Sequence, residues 1–259
     1  MNISIIYREQ GRDELSDIRH SHDNEIELIH VISGKGKVFV GDDVLSFDGS
    51  AVFFIDGAIL HYICPNSDIP YIRSKLILKK DIMGDMLSSY IKNGCLHQIP
   101  SNELSFEIDR AFFELFESHN NGDAELMLCS KIFELLHLCI ERADENGVKY
   151  RGAVADVVSY IHKHLEDGIA LSNVAQALHI NKNYLCRLFR KETGMTVGAY
   201  INSARIAKAK RLLRDSDSPL SFVAGESGFN EPSVFSKNFK REVGMTPREY
   251  RNAMKNKSF

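Results

Sequence analysis

Apolar and polar positions change places over short runs in the first third of the chain, then recur every three or four residues to its end. The runs Glu25–Ile32, Lys37–Val40, Val44–Phe47, Ser50–Ile55, Leu60–Ile63 and Tyr71–Leu78 are rich in β-branched and aromatic side chains, and Gly and Asp punctuate them. Short strands with regular turns predict a barrel or sandwich. From Lys80 the period lengthens. Asp81–Ile91 is a short, ambiguous helix. Ser101–His119 carries Leu104, Ile108, Phe112 and Leu115 at helical spacing with Ser101 as N-cap, and Asp123–Arg142 carries Leu128, Ile132, Leu135 and Cys139 with Asp123 as cap. Residues 143–152 are polar with two glycines and read as a linker. Ala153–Leu165 predicts a further helix, with His162 and His164 turned to solvent.

Beyond it one pattern occurs twice, fifty residues apart. Phe189-Arg-Lys-Glu-Thr-Gly-Met-Thr196 matches Phe239-Lys-Arg-Glu-Val-Gly-Met-Thr246. Each copy closes a basic helix with an apolar stripe (Leu185, Leu188 and Phe189; Phe235 and Phe239) at Gly194 or Gly244, where a left-handed residue is favoured. Upstream of the first lies the helix Leu171–Leu178 and the turn His179–Asn181. Upstream of the second lies Ser218 as N-cap, Pro219 at N1, a helix to Ser227, and the turn Gly228–Asn230. Gly225 inside that helix costs about 1 kcal/mol relative to Ala, for which close packing is the expected reason. Helix, three-residue turn and basic helix is the helix-turn-helix layout, here spanning 171–192 and 219–242 and joined by the amphipathic segment Val197–Arg214.

With both repeats in view, the chain resembles the AraC/XylS family of transcription regulators. Gly228-Phe229, Phe235, Phe239-Lys240, Gly244, Thr246-Pro247 and Tyr250-Arg251 follow that family's motif, and Arg205, Ala209 and Leu212-Leu213 fit its linking helix. The resemblance implies an α+β chain of two domains: an N-terminal cupin-like β-barrel or jelly roll with packed helices, and an all-α tandem helix-turn-helix domain. The corresponding boundaries are 1–95 for the sensing β domain, 96–142 for a helical dimerisation or packing segment, 143–152 for the linker and 153–259 for the DNA-binding domain. It further implies base reading by Asn183, Cys186 and Arg187 in the first repeat and by Ser233, Ser236 and Lys237 in the second. Lys182, Arg190, Lys240 and Arg241 fall on the phosphate backbone, and Asn181 caps the helix, leaving its amides for phosphate. The second repeat departs from the pattern at Pro232, Val234 and Lys237. A lysine reads less sharply than an arginine fork, so this repeat is expected to add affinity more than sequence choice.

Charge changes the picture once the chain is cut. Overall it carries 32 Lys+Arg against 35 Asp+Glu, but residues 150–259 carry 18 against 10 and residues 1–149 carry 14 against 25, a basic half joined to an acidic one. The basic half points to nucleic acid. Five cysteines without CxxC spacing argue against a disulfide framework, and neither a signal peptide nor an apolar run of membrane length is visible, so a soluble cytoplasmic protein with no membrane partner is expected.

The spacing His20-x-His22-x4-Glu27-x6-Gly34, with His61 further on, resembles the cupin motifs, although Gly57 and Leu60 stand where prolines are expected before the second histidine. His20, His22, Glu27 and His61 are candidate metal ligands. The favoured reading gives them to an organic effector in the barrel mouth, with no metal and no cofactor. The function implied is an effector-responsive regulator, an activator of metabolic genes, sugar-related ones among them, rather than an enzyme. It would act on double-stranded promoter DNA as a homodimer, with a small-molecule effector and, by family analogy, RNA polymerase. The alternatives are a metal-binding cupin enzyme fused to a DNA-binding domain, and a regulator with no effector.

Overall fold

The structure, a computed structural model, describes residues 3–10, 24–66, 69–80, 95–98, 100–140 and 152–255. The chain divides into two compact units, 1–40 with 44–150 and 41–43 with 151–259.

The N-terminal unit holds eight strands among the described residues: β1 (Ile3–Gln10), β2 (Glu25–Ser33), β3 (Lys35–Val40), β4 (Asp43–Asp48), β5 (Ala51–Asp56), β6 (His61–Pro65), β7 (Ile72–Lys79) and β8 (Cys95–Gln98). They form two sheets, of order β1-β7-β2-β5-β8 and β4-β3-β6. The expected barrel is therefore not closed among the described residues. Two helices follow, α1 (Asn102–Asn120) and α2 (Glu125–Ile140). β2 lies mid-sheet, pairing Ile29 with Phe53 of β5 and with Lys75 of β7, so both its edges are bonded; packing covers both its faces, and its sequence reads as a near-continuous apolar run. Ile26 and Leu28, with Phe54 and Leu76, pack against Ile108, Phe112 and Leu115 of α1 and Ile132 and Leu135 of α2. The alternate positions Ile29 and Val31, with Phe53 and Ile55, pack against Val38, Val40 and Phe47 of the smaller sheet. The period of two thus builds three layers: helices, large sheet, small sheet.

Two strands lie outside the runs picked from the sequence. In β1, Ile3, Ile5 and Tyr7 alternate onto the helix-covered face, and Arg8 fixes the strand to α1 by a two-pronged contact with Asp109 (2.6 and 3.2 Å). β8 has only four residues and pairs with β5. Ser101 caps α1 as expected, its Oγ accepting from the Leu104 amide at 3.2 Å. Asp123 does not cap α2. It accepts from the Ser118 hydroxyl, and the first helical bonds run to the Ala124 carbonyl instead. The expected helix at Asp81–Ile91 and residues 143–151 of the linker lie outside the described residues.

The C-terminal unit is helical: α3 (Ala153–Lys163), a 3-10 turn at Leu165–Asp167, α4 (Leu171–Ala177), α5 (Lys182–Thr193), α6 (Val197–Asp215), α7 (Leu220–Glu226), α8 (Pro232–Val243) and α9 (Pro247–Lys255). α7 starts one residue later than the sequence suggests: the Val223 amide bonds to the Pro219 carbonyl, which makes Pro219 the cap, while the Ser218 carbonyl accepts from Arg251. His162 is half-buried rather than turned to solvent, its Nε2 2.9 Å from the Tyr200 hydroxyl. Gly225 has no neighbour within 4 Å of where a Cβ would stand, so close packing does not explain it. Gly228 is the opposite case. Its φ is +82°, and a methyl there would overlap the Leu165 carbonyl oxygen and press on Arg205.

Gly225→Ala is expected to stabilise the C-terminal unit by roughly 0.5–1 kcal/mol, and Gly228→Ala to destabilise it by about 2 kcal/mol or more. Urea unfolding of the two variants measures both, and equal effects would contradict the geometry.

His30 lies fully buried between the large sheet and α1, its Nε2 3.1 Å from Ser105 Oγ and 3.3 Å from Ser50 Oγ. Burial pulls its pKa down from 6.5 to about 4. The unfolded chain therefore binds a proton that the folded one refuses, and stability falls as pH drops from about 6.5 towards 4, by about 3 kcal/mol in all. His30→Gln should remove one proton's worth of that slope, roughly 1.4 kcal/mol per pH unit. Parallel stability profiles for the two proteins between pH 6.5 and 4 would contradict it.

Candidate nucleic-acid interface

In each repeat the turn is made by a left-handed residue after the first helix. His179 (φ +53°) follows α4, and the Ile180 amide reaches back to the Ala175 carbonyl at 2.9 Å. Gly228 follows α7, and the Phe229 amide reaches the Ala224 carbonyl at 2.9 Å. The same hydrogen-bond ring closes both turns, one of them at a histidine, where a left-handed backbone is costly. Inside the turns, Val174 and Ala175 lie buried with Leu185 and Phe189, and Val223 and Ala224 with Phe235 and Phe239. In the second repeat aromatic edges continue the packing: Phe229 to Phe235 (5.3 Å between centroids), Phe235 to Phe239 (5.6 Å) and Phe239 to Tyr250 of α9 (5.4 Å).

Burying one stripe of α5 and α8 leaves the opposite stripe outward. From Asn181 to Glu192 and from Glu231 to Glu242 the order of exposed, half-buried and buried positions is the same residue for residue. Lys182, Asn183, Arg187 and Arg190 are exposed on the first helix, and Ser233, Lys237, Lys240 and Arg241 on the second. Cys186 and Ser236 are half-buried at the flank, and the Ser236 hydroxyl donates to the Pro232 carbonyl at 2.9 Å. Besides Glu231 and Pro232 at the start of α8, three exposed residues are not among the sequence-predicted site residues. Lys191 is the counterpart of Arg241 at the fifty-residue offset, a signal the repeat itself contained. Tyr184 and Val234 are counterparts too, 50% and 45% exposed on the outward face.

The helix starts differ. The Asn181 side chain accepts from the Asn183 amide (2.9 Å) and the Tyr184 amide (3.2 Å), so the cap takes amides expected to be left for phosphate. Pro232 and Glu231 begin α8 with no side-chain cap. Both helices close on a left-handed glycine as expected, Gly194 and Gly244.

α6 holds the two repeats together. Arg205, in its middle, donates to the Ile169 carbonyl ahead of α4 (3.1 Å) and lies over the Phe229 ring in the second turn (5.6 Å). Glu242 at the end of α8 accepts from Ser203 of α6 at 2.8 Å, so this carboxylate braces the core rather than opposing DNA.

Of the effector constellation, His20 and His22 lie outside the described residues. Glu27 and His61 are buried on the inter-sheet side of the N-terminal unit, Nε2 to Oε2 3.4 Å. The sequence reading missed Lys75, whose Nζ stands 3.2 Å from the other Glu27 oxygen. An ammonium there already supplies the counter-charge that a metal cation would bring, and it would repel one. Among the described residues no group of three His, Cys, Asp or Glu side chains is arranged to hold a metal.

Comparison with known proteins bears on the C-terminal unit first. A family described as a helix-turn-helix domain matches residues 174–253. The Msm operon regulatory protein of Streptococcus mutans is 23% identical over 244 residues, 88% of this chain and 85% of that protein. The HTH-type transcriptional activator RhaR of Yersinia pseudotuberculosis is 36% identical over 111 residues, 42% of this chain and 38% of its own. The DNA-binding domain of AdpA, a global transcriptional factor solved in complex with a target DNA, is 29% identical. That match covers 41% of this chain and 96% of AdpA's domain with a TM-score of 0.40. Apart from the Msm protein, the chain spans about half or less of the first curated relatives' length. No helix among the described residues is long and apolar enough to cross a membrane.

Arg187→Ala is expected to relax base preference at one or two positions of a bound site, a loss of roughly 1–3 kcal/mol of discrimination. Lys240→Ala and Arg241→Ala should weaken binding to every sequence alike and lower the salt slope by about one. Selection from randomised duplexes separates the outcomes, and an unchanged preference in Arg187→Ala would take that residue off the reading face.

Proposed function

Through residues 174–253 the chain belongs to the AraC-type helix-turn-helix family, and we propose that the whole protein is a transcription regulator that reads promoter DNA with α5 and α8 together. The observation that carries this is the matched exposure of the two helices. One helix facing outward is ordinary surface; two with the same buried stripe and the same outward basic face, braced on one linking helix, are a two-part reading head. Asn183 and Arg187, and Ser233 and Lys237, meet base edges, while Lys182, Arg190, Lys240 and Arg241 meet phosphates.

In this reading the N-terminal unit is the sensor, a cupin-like jelly roll whose inter-sheet ionic cluster of Glu27, His61 and Lys75 belongs to the effector site. An effector must act by binding one of two states more tightly than the other. Leu126, Met127 and Phe133 stand exposed on α2, with Phe106 and Phe113 on α1, and support a homodimer through this hairpin. The description of RhaR as a transcriptional activator supports activation. RNA polymerase as partner, the cytoplasm and the absence of an enzymatic step belong to the same proposal, by the family resemblance alone.

α6 has 19 residues and spans about 28 Å, which with its flanking turns suits successive major grooves about 34 Å apart. Because the two reading faces differ in chemistry, each monomer should protect an asymmetric element of about 17–20 base pairs, with strong salt dependence. Footprinting of the full chain on a selected site tests this. A short palindrome bound only by a dimer would overturn it.

A further inference from the structure

Apart from Pro232 at the first position of α8, the outward faces of α5 and α8 are polar and charged except at one position, and it is the same position in both. Tyr184 and Val234 are the third residue of their helices, 50% and 45% exposed. A single exposed apolar side chain needs no explanation. Here it falls on the reading face of each repeat, one turn before the basic residue at its centre, Arg187 or Lys237, since residues three apart are neighbours on a helix. Val234 also disfavours helix slightly and leaves its apolar surface in water. Its β-branch locks χ1, so its two methyls are held in one direction with little freedom to lose on contact.

We propose that Val234 is a specificity-determining residue that packs on the 5-methyl group of a thymine in the major groove read by α8. This deepens, and rests on, the reading of α5 and α8 as the DNA-contacting helices. Of the four bases only thymine presents a methyl in the major groove, and apolar side chains are what recognise it. Val234 has no polar side-chain atom that would favour any other base edge. Lys237, next to it, is a point charge that discriminates poorly. The Ser236 hydroxyl gives its proton to the Pro232 carbonyl and keeps only its acceptor lone pairs for a base. Sequence choice in the second repeat then includes an apolar contact, beside the polar contacts of Ser233 and Lys237, and the repeat selects a T·A pair next to its lysine.

The test uses the full chain and a site selected from randomised duplexes, with each thymine replaced in turn by deoxyuridine, which removes only the methyl. One thymine in the α8 half should bind about fourfold more weakly as uracil, the fold-change for about 0.8 kcal/mol of one buried methyl. That penalty should vanish in Val234→Ala, a surface change that does not threaten folding. Replacing an unmethylated cytosine at that position by 5-methylcytosine should restore part of the affinity of the wild type and none of that of the variant. If uracil binds as thymine does at every position, or the penalty persists unchanged in Val234→Ala, the methyl contact is wrong. If that happens while Arg187→Ala still shifts base preference and Lys240→Ala still weakens binding, the two-helix reading stands and the Val234 assignment alone falls. A chain that selects no site at all overturns both.

Discussion

The approach of the Gly228 backbone to the Leu165 carbonyl is the constraint on which the C-terminal unit depends. It brings the turn of the second repeat against the segment that leads into the first, and it admits no side chain. Arg205 closes the same junction from α6, with its guanidinium shared between the Ile169 carbonyl and the Phe229 ring. Burial pulls the pKa of this arginine down, yet it remains charged, so the junction keeps a cation bonded to a carbonyl and stacked on an aromatic face. Both repeats take their position from these few contacts, and the direction in which α5 and α8 present their outer faces is set by them.

Much of this unit was legible in the sequence because its devices are local. The glycine stops at Gly194 and Gly244, the Asn181 cap and the apolar stripe of each helix follow from residue type and spacing alone. What was not legible depended on neighbours distant in the chain. Ser218 looks like a cap, but the helix takes up the Pro219 carbonyl and Arg251, 33 residues on, takes up Ser218. Asp123 looks like a cap, but the Ser118 hydroxyl reaches it first. In the N-terminal unit the six runs gave strands, while the four-residue β8 and the edge strand β1 were passed over. β8 has little alternation to show and pairs with β5, while β1 is placed by pairing with β7 and by contacts with α1, which lies about 100 residues away in the chain. Glu27 and His61 were picked for their chemistry. Lys75, which changes that chemistry most, sits in an apolar run where a buried lysine is rare.

The two repeats differ in how they begin. In α5 a neutral side chain occupies two of the first amides and a rigid arginine stands at the centre of the face. In α8 a proline removes one amide, no side chain takes the next ones, and an exposed carboxylate, Glu231, sits at the entrance. The positive end of a helix dipole meets Glu231 favourably, but that carboxylate opposes an approaching phosphate. The start of α8 is thus better suited to the floor of a groove than to a phosphate wall, and phosphate contact in this repeat falls to Lys240 and Arg241 further along the helix.

His179 and Gly228 do the same geometric task, and only one of them is replaceable. The first turn makes no close approach that forbids a Cβ, so a histidine survives there at some cost in backbone strain. The second has no such latitude. The duplicated segments are therefore exchangeable in part: α5 and α8 share an exposure pattern and can trade their outer faces, whereas the turns cannot trade places. The two repeats are interchangeable readers on non-interchangeable hinges, so new binding preferences can arise by substitution along the helices while the hinge of the second repeat stays fixed.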